Sequence, residues 1–364
     1  MTLHLTQISL SQFRSHPRAD AAFDGRPVAL FGDNGAGKTN LLEAISLLSP
    51  GRGLRRAAPE DLIGRQAGLG WKITATLARY GTPHEIETQA RPDTPRSVRI
   101  DGKATPQSAL GRLAPMLWLT PAMDRLWTEG AEGRRRFLDR LVLGFHPDHA
   151  EAALTYDKAM RERNRLLREG VTDAAWYHAL ESRMALSGAQ VIANRHATLD
   201  RLARADDDGD FPRADLALAD QSPAAESDLG AALAEGRRRD MHAGRSLTGP
   251  HRADLTALWA ARGIPAAQCS TGEQKALLIA TVLAHARALK QDSGLAPILL
   301  LDEVAAHLDE NRRAALYDAI CALGAQAFLT GTGSELFTPL GARAQAFHIT
   351  ASGGLSRLTE VSLP

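Results

Sequence analysis

Cysteine is scarce in this sequence of 364 residues, which contains only Cys269 and Cys321. Two cysteines cannot form the disulfide framework of a small secreted domain, so we expect a reducing compartment. No run approaches the roughly 18 apolar residues of a membrane-spanning helix. The first residues also lack the basic region and apolar core of a signal peptide. These absences predict a cytoplasmic protein with no membrane partner.

Aromatic content and net charge are also low. Phe, Trp and Tyr make up 5% of the chain, and 43 basic against 42 acidic residues leave a formal charge of +1. A strongly basic body is therefore excluded, and any nucleic-acid contact must come from local patches. Because aromatic residues do not interleave with the basic runs, base stacking is not expected to be the binding mode.

A glycine-rich loop is the strongest chemical signal. It matches the phosphate-loop pattern G-x-x-x-x-G-K-[ST], and a predicted strand at 28–31 precedes it while a predicted helix follows. Glycines let successive N–H groups face one anion at the positive end of that helix. Lys38 would reach the β- and γ-phosphates, and the Thr39 hydroxyl would ligate Mg²⁺. The predicted nucleotide-binding residues are Gly32, Asp33, Asn34, Gly35, Ala36, Gly37, Lys38, Thr39 and Asn40.

The rest of the chain divides into a strand-rich part and a helical part. Alternating apolar residues and turn signals predict strands at 3–10, 18–23, 71–79, 84–90 and 97–101, the last three forming an antiparallel patch. Helical patterns cover 130–143, 147–169 and 172–202, and the last two predict a short antiparallel helical arm. The acidic segment 205–221 breaks the pattern and is predicted to be an exposed loop.

Basic residues cluster in both parts. Arg55 and Arg56 follow a glycine-broken segment, and Arg135 and Arg136 lie in the first helix of the helical part. The first helix of the arm carries a further run, Lys158, Arg161, Arg163, Arg165 and Arg168. A solvated face is one explanation, and a surface that follows the DNA backbone is the other. The predicted DNA contacts are Arg55, Arg56, Arg135 and Arg136.

A buried strand that ends in two acids is predicted near the C-terminus. The apolar run 297–301 leads directly into Asp302 and Glu303. Asp302 would belong to the Mg²⁺ shell, and Glu303 would polarise the attacking water. Many strands end in Asp, so the run alone is a weak signal, and its place among the neighbouring motifs gives it weight.

In this order the motifs resemble the ABC-type ATPase head. Ser270, Gly272, Glu273 and Gln274 stand in the place of the signature motif, and Asp309 stands in that of the D-loop. The resemblance implies that these residues bind, in trans, ATP held by a second copy, so that ATP lies in a dimer interface. An ordinary helix cap at residues 270–273 is the alternative for this segment. For the whole chain, a transporter-like or SMC-like ATPase subunit would carry the same motifs, and a phosphoryl-transfer enzyme would use the phosphate loop without needing this segment.

Three further segments narrow the resemblance to the RecF family: Gln12 to Arg14, Gly133 to Asp139 and Leu247 to Leu255. The family implies an α/β fold, namely an ABC-type (SMC-like) P-loop ATPase head with an inserted α-helical lobe that contains the arm. The implied head covers 1–120 and 245–364, and the implied lobe covers 121–244.

The same resemblance implies the cofactors, the partners and the task. The cofactors are ATP and Mg²⁺, and the assembly is an ATP-dependent homodimer. The DNA substrate is a gap or a single-strand/double-strand junction. RecO and RecR are the implied partners, which together with this chain would help to load RecA.

The sequence departs from the family pattern in three places. One is the glutamine loop, which is not assigned because no Gln lies between residues 111 and 133. Many RecF-like proteins have two aspartates after the apolar strand, whereas this chain has Asp302 and Glu303. The histidine switch of ABC proteins is missing, and Thr330 and Thr332 occupy its place as the predicted γ-phosphate sensor. Glu303 is the usual residue of ABC-type ATPases at its position, so the expectation of slow hydrolysis comes from the missing histidine.

Overall fold

The computed structural model describes residues 3–64, 70–205, 211–219 and 222–363. Its strands are β1 (Leu3–Phe13), β2 (His16–Ala22), β3 (Val28–Phe31), β4 (Trp71–Arg79), β5 (Thr82–Ala90), β6 (Ser97–Ile100), β7 (Lys103–Ala104), β8 (Met116–Leu119), β9 (Ala214–Ala219), β10 (Asp254–Trp259), β11 (Ile264–Pro265), β12 (Ile298–Leu301), β13 (Ala327–Gly331), β14 (Gln345–Ser352) and β15 (Leu355–Val361). Its α-helices are α1 (Lys38–Ser46), α2 (Leu110–Leu113), α3 (Ala131–Phe145), α4 (His149–Glu169), α5 (Ala174–Arg204), α6 (Glu226–Glu235), α7 (Arg237–Ala243), α8 (Thr271–Ser293) and α9 (Glu310–Leu323).

Internal contacts divide the chain into two compact units. The first unit comprises Met1–Asp124, Ala205–Arg213 and Ser270–Pro364, and the second comprises Arg125–Arg204 and Ala214–Cys269. Across the described ranges, no helix has both the length and the hydropathy required of a bilayer span.

A mostly parallel sheet in the first unit has the strand order β15-β14-β3-β13-β12-β8. The strands from β14 to β8 run parallel, and β15 returns antiparallel to β14. Parallel strands are covered on both faces and therefore read as continuous apolar runs. Every residue of β12 and β13 is indeed buried. The carboxyl ends of β3, β12 and β13 thus meet at one edge of the sheet.

The other sheet of this unit is antiparallel, with the order β2-β1-β4-β5-β6-β7, and it confirms the predicted patch at 71–101. Its pairing between β1 and β4 shifts between Leu5 and Gln7, which is a β-bulge. The shift moves the buried positions from Leu3 and Leu5 to Ile8 and Leu10. The imperfect alternation of the sequence in this strand therefore has a structural cause.

The second unit contains the predicted arm. Gly170, whose φ is +66°, is the C-cap of α4, and α5 begins four residues after it. The two helices pack along their lengths, and α6 packs on α5. A small core that includes Tyr156, Met184 and Leu229 joins the three helices. The arm is therefore a three-helix structure rather than an isolated helix pair.

One prediction in this region is wrong. The segment 205–221 is not all loop, because β9 pairs antiparallel with β10. Leu216 and Leu218 alternate with more exposed neighbours, a period of two that the nearby acidic residues obscured. Residues 206–210 and 220–221 lie outside the described residues. The second unit extends to Cys269, and the resumption of the head at residue 245 stays a prediction.

Arg163 corrects the prediction of a continuous basic surface on α4. Its side chain is fully buried. Its guanidinium donates to Glu181 at 3.1 Å and to Asp240 at 2.7 Å. It also donates to Ser246 Oγ at 2.8 Å and to the Leu233 carbonyl at 2.9 Å. Arg163 therefore links α4 to α5, α6 and α7 and contributes nothing to a solvated or DNA-facing surface.

Replacing Arg163 with Ala should destabilise the second unit strongly, because it leaves Glu181 and Asp240 buried without this cation. Loss of one partner of a buried ion pair costs about 3–5 kcal/mol. Arg161→Ala is the matched control on the same helix. That exposed side chain pairs with Asp157 one turn earlier, and its loss should cost under about 0.5 kcal/mol. Urea unfolding followed by helical circular dichroism checks both values. Equal costs for the two variants would contradict the assignment.

Candidate functional site

The glycine-rich loop joins β3 to α1 through backbone conformations that L side chains rarely adopt. Gly32, Gly35 and Gly37 have φ of +148°, +81° and +106°. A Cβ on Gly32 would lie 2.0 Å from the Ile349 carbonyl oxygen of β14. The close approach of β14 and the positive φ together explain why the loop begins with glycine.

Lys38 folds back over the loop that precedes it. Its Nζ donates to the carbonyl oxygens of Gly32 at 2.6 Å and of Asp33 at 2.9 Å, and its side chain is buried. Burial lowers the pKa of Lys38, while the nearby Glu303, Asp302 and Asp33 carboxylates oppose that shift. The ammonium group is thus positioned at the mouth of the loop and close to the two predicted acids.

The Asp302 carboxylate connects three elements at the carboxyl edge of the parallel sheet. Its Oδ1 accepts from the Thr39 hydroxyl at 2.9 Å and from the Thr330 hydroxyl at 2.8 Å. Burial raises the pKa of Asp302, and the two threonine hydrogen bonds oppose that rise. A hydroxyl and a carboxylate in contact at the phosphate loop are the ligand types that Mg²⁺ takes from proteins when phosphates supply the rest.

Glu303 follows in a strained conformation, with a φ of +54°. Its backbone N–H donates to Thr330 Oγ1 at 2.8 Å. Thr330 therefore accepts from Glu303, donates to Asp302, and orients both acids. Thr332 is exposed. The sensor role predicted for Thr330 and Thr332 stays a prediction, whereas the orienting role of Thr330 was missed. No local sequence signal marks this role, because the register of Leu301 with Leu329 exists only once β12 and β13 have paired.

The buried carboxylate of Glu43 connects α1 to Arg14, and the sequence does not point to this contact. It is fully buried and accepts two hydrogen bonds from the Arg14 guanidinium. Arg55 approaches Glu43 at 3.4 Å and donates to Asn40 Oδ1 at 2.8 Å. The predicted DNA contact Arg55 is therefore also tied to the phosphate-loop helix. Its neighbour Arg56 is exposed and has a φ of +57°.

The predicted signature segment forms the start of α8. Ser270 is the N-cap, its Oγ accepts from the Glu273 N–H, and the Glu273 carboxylate accepts from the Ser270 N–H at 2.8 Å. This is a capping box, so the ordinary helix cap, which is the alternative for residues 270–273, is present. Ser270 and Gly272 are nevertheless exposed, and a Cβ on Gly272 would meet nothing within 4 Å. Gln274 is buried one residue beyond the box.

Asp309, in the predicted D-loop, is likewise the exposed N-cap of α9, and its side chain accepts from the Arg312 N–H at 2.9 Å. Among the described contacts, those of Ser270 and Asp309 are made within the starts of their own helices. The structure therefore brings together Lys38, Thr39, Asp302 and Glu303, and presents the signature and D-loop residues at separate helix starts.

The second pair of predicted DNA contacts lies on α3 in the second unit. Arg135 donates to the Ala253 carbonyl at 2.9 Å, and burial and the nearby Arg195 lower its pKa. Arg136 is exposed and pairs with Glu132 at 2.6 Å, one helical turn earlier. Arg135 is thus partly engaged within the protein, and Arg136 is the more accessible of the two.

Comparison with known proteins gives a consistent result. The family model described as RecF/RecN/SMC N terminal domain matches residues 4–351. Proteins named DNA replication and repair protein RecF from Rhizobium etli, Mesorhizobium japonicum and Brucella suis are 47%, 48% and 45% identical to this chain. The alignments cover 95%, 94% and 95% of this chain and 96%, 95% and 94% of those relatives.

Solved structures agree on the fold. The recombination mediator protein RecF with ATP, described as part of the RecFOR pathway, matches with a TM-score of 0.83 at 22% identity, over 99% of this chain and 98% of that one. The Smc head domain of Pyrococcus furiosus, solved with an extended coiled coil and the C-terminal domain of ScpA, matches with a TM-score of 0.58 at 16% identity, over 99% and 97% of the two chains. The predicted SMC-like head fold is confirmed.

Lys38→Ala should abolish nucleotide binding, because it removes the cation at the mouth of the loop. Lys72→Ala is the control, since Lys72 lies on β4 and pairs with Glu87 at 2.7 Å. Titration with a fluorescent ATP analogue measures both affinities. An unchanged affinity in Lys38→Ala would remove the phosphate-loop assignment.

Proposed function

The chain belongs to the RecF family, and on that premise we propose that it is an ATP-dependent DNA-binding protein of recombinational repair and replication-gap processing. The observation that carries the proposal is the convergence of Lys38, Thr39, Asp302 and Glu303 at one edge of the parallel sheet. The relatives named DNA replication and repair protein RecF, which match nearly the whole chain, supply the biological context.

ATP and Mg²⁺ fit the residues at this edge. The left-handed glycines open the loop backbone toward an anion, and the Lys38 ammonium group lies beside it. Thr39 and Asp302 would hold Mg²⁺, which when bound neutralises phosphate charge. Glu303 would then orient and deprotonate the attacking water. The short Thr39–Asp302 contact supports this shared role.

The exposed start of α8 is proposed to complete the ATP site of a second copy. Ser270 Oγ and the N–H groups at the start of a long helix form an anion-binding end, and Gly272 leaves it sterically open. Glu273 and Gln274 would support this end, and Asp309 would lie beside it in the interface. Dimerisation would then require ATP, and hydrolysis would be slow in the monomer.

DNA gaps and single-strand/double-strand junctions are the proposed substrate. The first unit is proposed to be the ATPase head and the second unit the helical lobe. Arg55, Arg56 and Arg136 are exposed and suited to phosphate contacts, and Arg135 is the least accessible of the four. RecO and RecR are the proposed partners in loading RecA, supported by the RecFOR pathway named for the related structure.

Ser270→Arg tests the dimer. A bulky cation at the start of α8 should prevent ATP-driven dimerisation and binding to gapped DNA, while the monomer keeps its affinity for ATP. If Ser270 serves only as a helix N-cap, Ser270→Arg should lose about 1 kcal/mol of stability and still dimerise. Gel filtration with light scattering, with a non-hydrolysable ATP analogue and with or without gapped DNA, measures the mass. Ser97→Arg, an exposed serine on β6, is the control. Dimerisation of Ser270→Arg would contradict the proposal.

Glu303→Gln tests the catalytic carboxylate. The amide keeps the size of the side chain but cannot accept the proton of the attacking water, so turnover should fall by about 10²–10⁴-fold. ATP affinity and ATP-dependent dimerisation should remain. Glu310→Gln, at the exposed start of α9, should hydrolyse ATP like the parent. Phosphate release under saturating ATP is the measurement, and turnover of Glu303→Gln within a factor of two of the parent would exclude Glu303.

A further inference from the structure

Two side chains outside the phosphate-loop motif form hydrogen bonds to backbone carbonyls of the loop. Ser356 on β15 donates from Oγ to the Ala36 carbonyl at 2.6 Å. His16 at the start of β2 contacts the Gly37 carbonyl through Nε2 at 3.1 Å. Both side chains are buried, and His16 is 0% exposed. The Gly37 carbonyl also accepts from the Leu41 N–H at 3.2 Å, which is the first hydrogen bond of α1. The two consecutive peptide groups at the end of the loop are therefore each held by their carbonyl oxygen, and His16 is the side-chain donor to the second.

Ser356 belongs to a chain of hydrogen bonds whose direction is set by the Ala36 carbonyl. A carbonyl oxygen only accepts, so the single hydroxyl proton of Ser356 must point at Ala36. Ser15 Oγ, 2.7 Å from Ser356 Oγ, must then donate to Ser356. Asn40 Nδ2 in turn donates to Ser15 Oγ at 2.7 Å. The chain Asn40–Ser15–Ser356–Ala36 thus runs in one direction, and each hydroxyl in it both accepts and donates.

The tautomer of His16 is determined in the same way. Because the Gly37 carbonyl only accepts, Nε2 must carry the proton of this contact. Nδ1 is buried and has no hydrogen-bond partner among the described residues. Burial also lowers the pKa of His16, although its bond to Gly37 opposes that shift. The buried Nδ1 without a partner and the lowered pKa both favour the neutral ring, in which His16 donates through Nε2–H.

A peptide group is planar and trans, so its C=O and N–H point in opposite directions. Anchoring the Ala36 carbonyl orients the Gly37 N–H, and anchoring the Gly37 carbonyl orients the Lys38 N–H. We propose that Ser356 and His16 are positioning residues that keep these two N–H groups directed at the phosphates of the nucleotide. The inference rests on the proposed nucleotide-binding function.

The glycine at position 37 both requires and permits this anchoring. Glycine peptides reorient at low cost, so an unanchored loop would sample other N–H directions. A Cβ on Gly37 would lie 2.2 Å from Ser356 Oγ and 2.8 Å from Ser15 Oγ. Only glycine lets the two hydroxyls come this close. The Ser356 N–H also donates to the Ser15 carbonyl at 2.7 Å, which joins the two hairpins that deliver Ser356 and His16.

The test compares deletion and conservative variants of both residues in the full chain. Ser356→Ala and His16→Leu remove the donors, whereas Ser356→Thr and His16→Gln keep a donor in reach. Affinity for a fluorescent ATP analogue is measured at a temperature at which circular dichroism shows every variant folded, together with the nucleotide-free melting temperature. Thr359→Ala, an exposed hydroxyl on the opposite face of β15, is the matched control, and Lys38→Ala is the reference for loss of binding.

Each deletion should weaken ATP binding by about tenfold, the equivalent of one net hydrogen bond. Ser356→Thr, His16→Gln and Thr359→Ala should stay within threefold of the parent. Parental affinity in both deletion variants would overturn the proposal, and so would a deletion variant that folds at no temperature, because the residue would then support the fold. If Lys38→Ala also retains parental affinity, the proposed nucleotide site itself fails. A loss in Lys38→Ala alone confines the failure to Ser356 and His16.

Discussion

The carboxylate of Asp302 is the contact on which the geometry of the candidate site depends. It accepts from Thr39 at the start of α1 and from Thr330 at the end of β13, and it follows β12 directly. Three elements that are distant in sequence are therefore joined through one oxygen atom. Burial raises the pKa of Asp302, because it disfavours the negative charge of the carboxylate. A bound metal ion would compensate that charge. The hydrogen bonds from the two threonines keep the group oriented.

Two further sets of buried charges are also paired, and each of these pairs joins separate elements. In the first unit, Glu43 holds the hairpin residue Arg14 to the phosphate-loop helix. In the second unit, Arg163 joins Glu181 and Asp240. A buried charge is costly unless it is paired and hydrogen-bonded. Such pairs therefore restrict how the helices can be arranged, even where their net contribution to stability is small.

The sequence errors have physical explanations in particular residues. The run of cations on α4 suggested a surface, but a helix with α5 on one side and α7 near it must bury some of its positions. Arg163 is one of those positions, and the acids that neutralise it lie 18 and 77 residues away. The strand β9 was missed because its alternation is short and its partner β10 lies some forty residues further along the chain. Neither distance can be read from local periodicity.

The sequence by itself determined the phosphate loop, the strand that delivers Asp302 and Glu303, and the order of helices in the arm. These features depend on local rules: glycine where φ is positive, apolar runs in buried parallel strands, and caps at helix ends. Only the tertiary structure decided which side chains orient those groups. Thr330, Glu43, His16 and Ser356 act on the site through contacts that span from 21 to 320 residues of sequence. Such contacts exist only after the sheets have packed, because packing places the loop carbonyls and the helix carboxylate beside their donors.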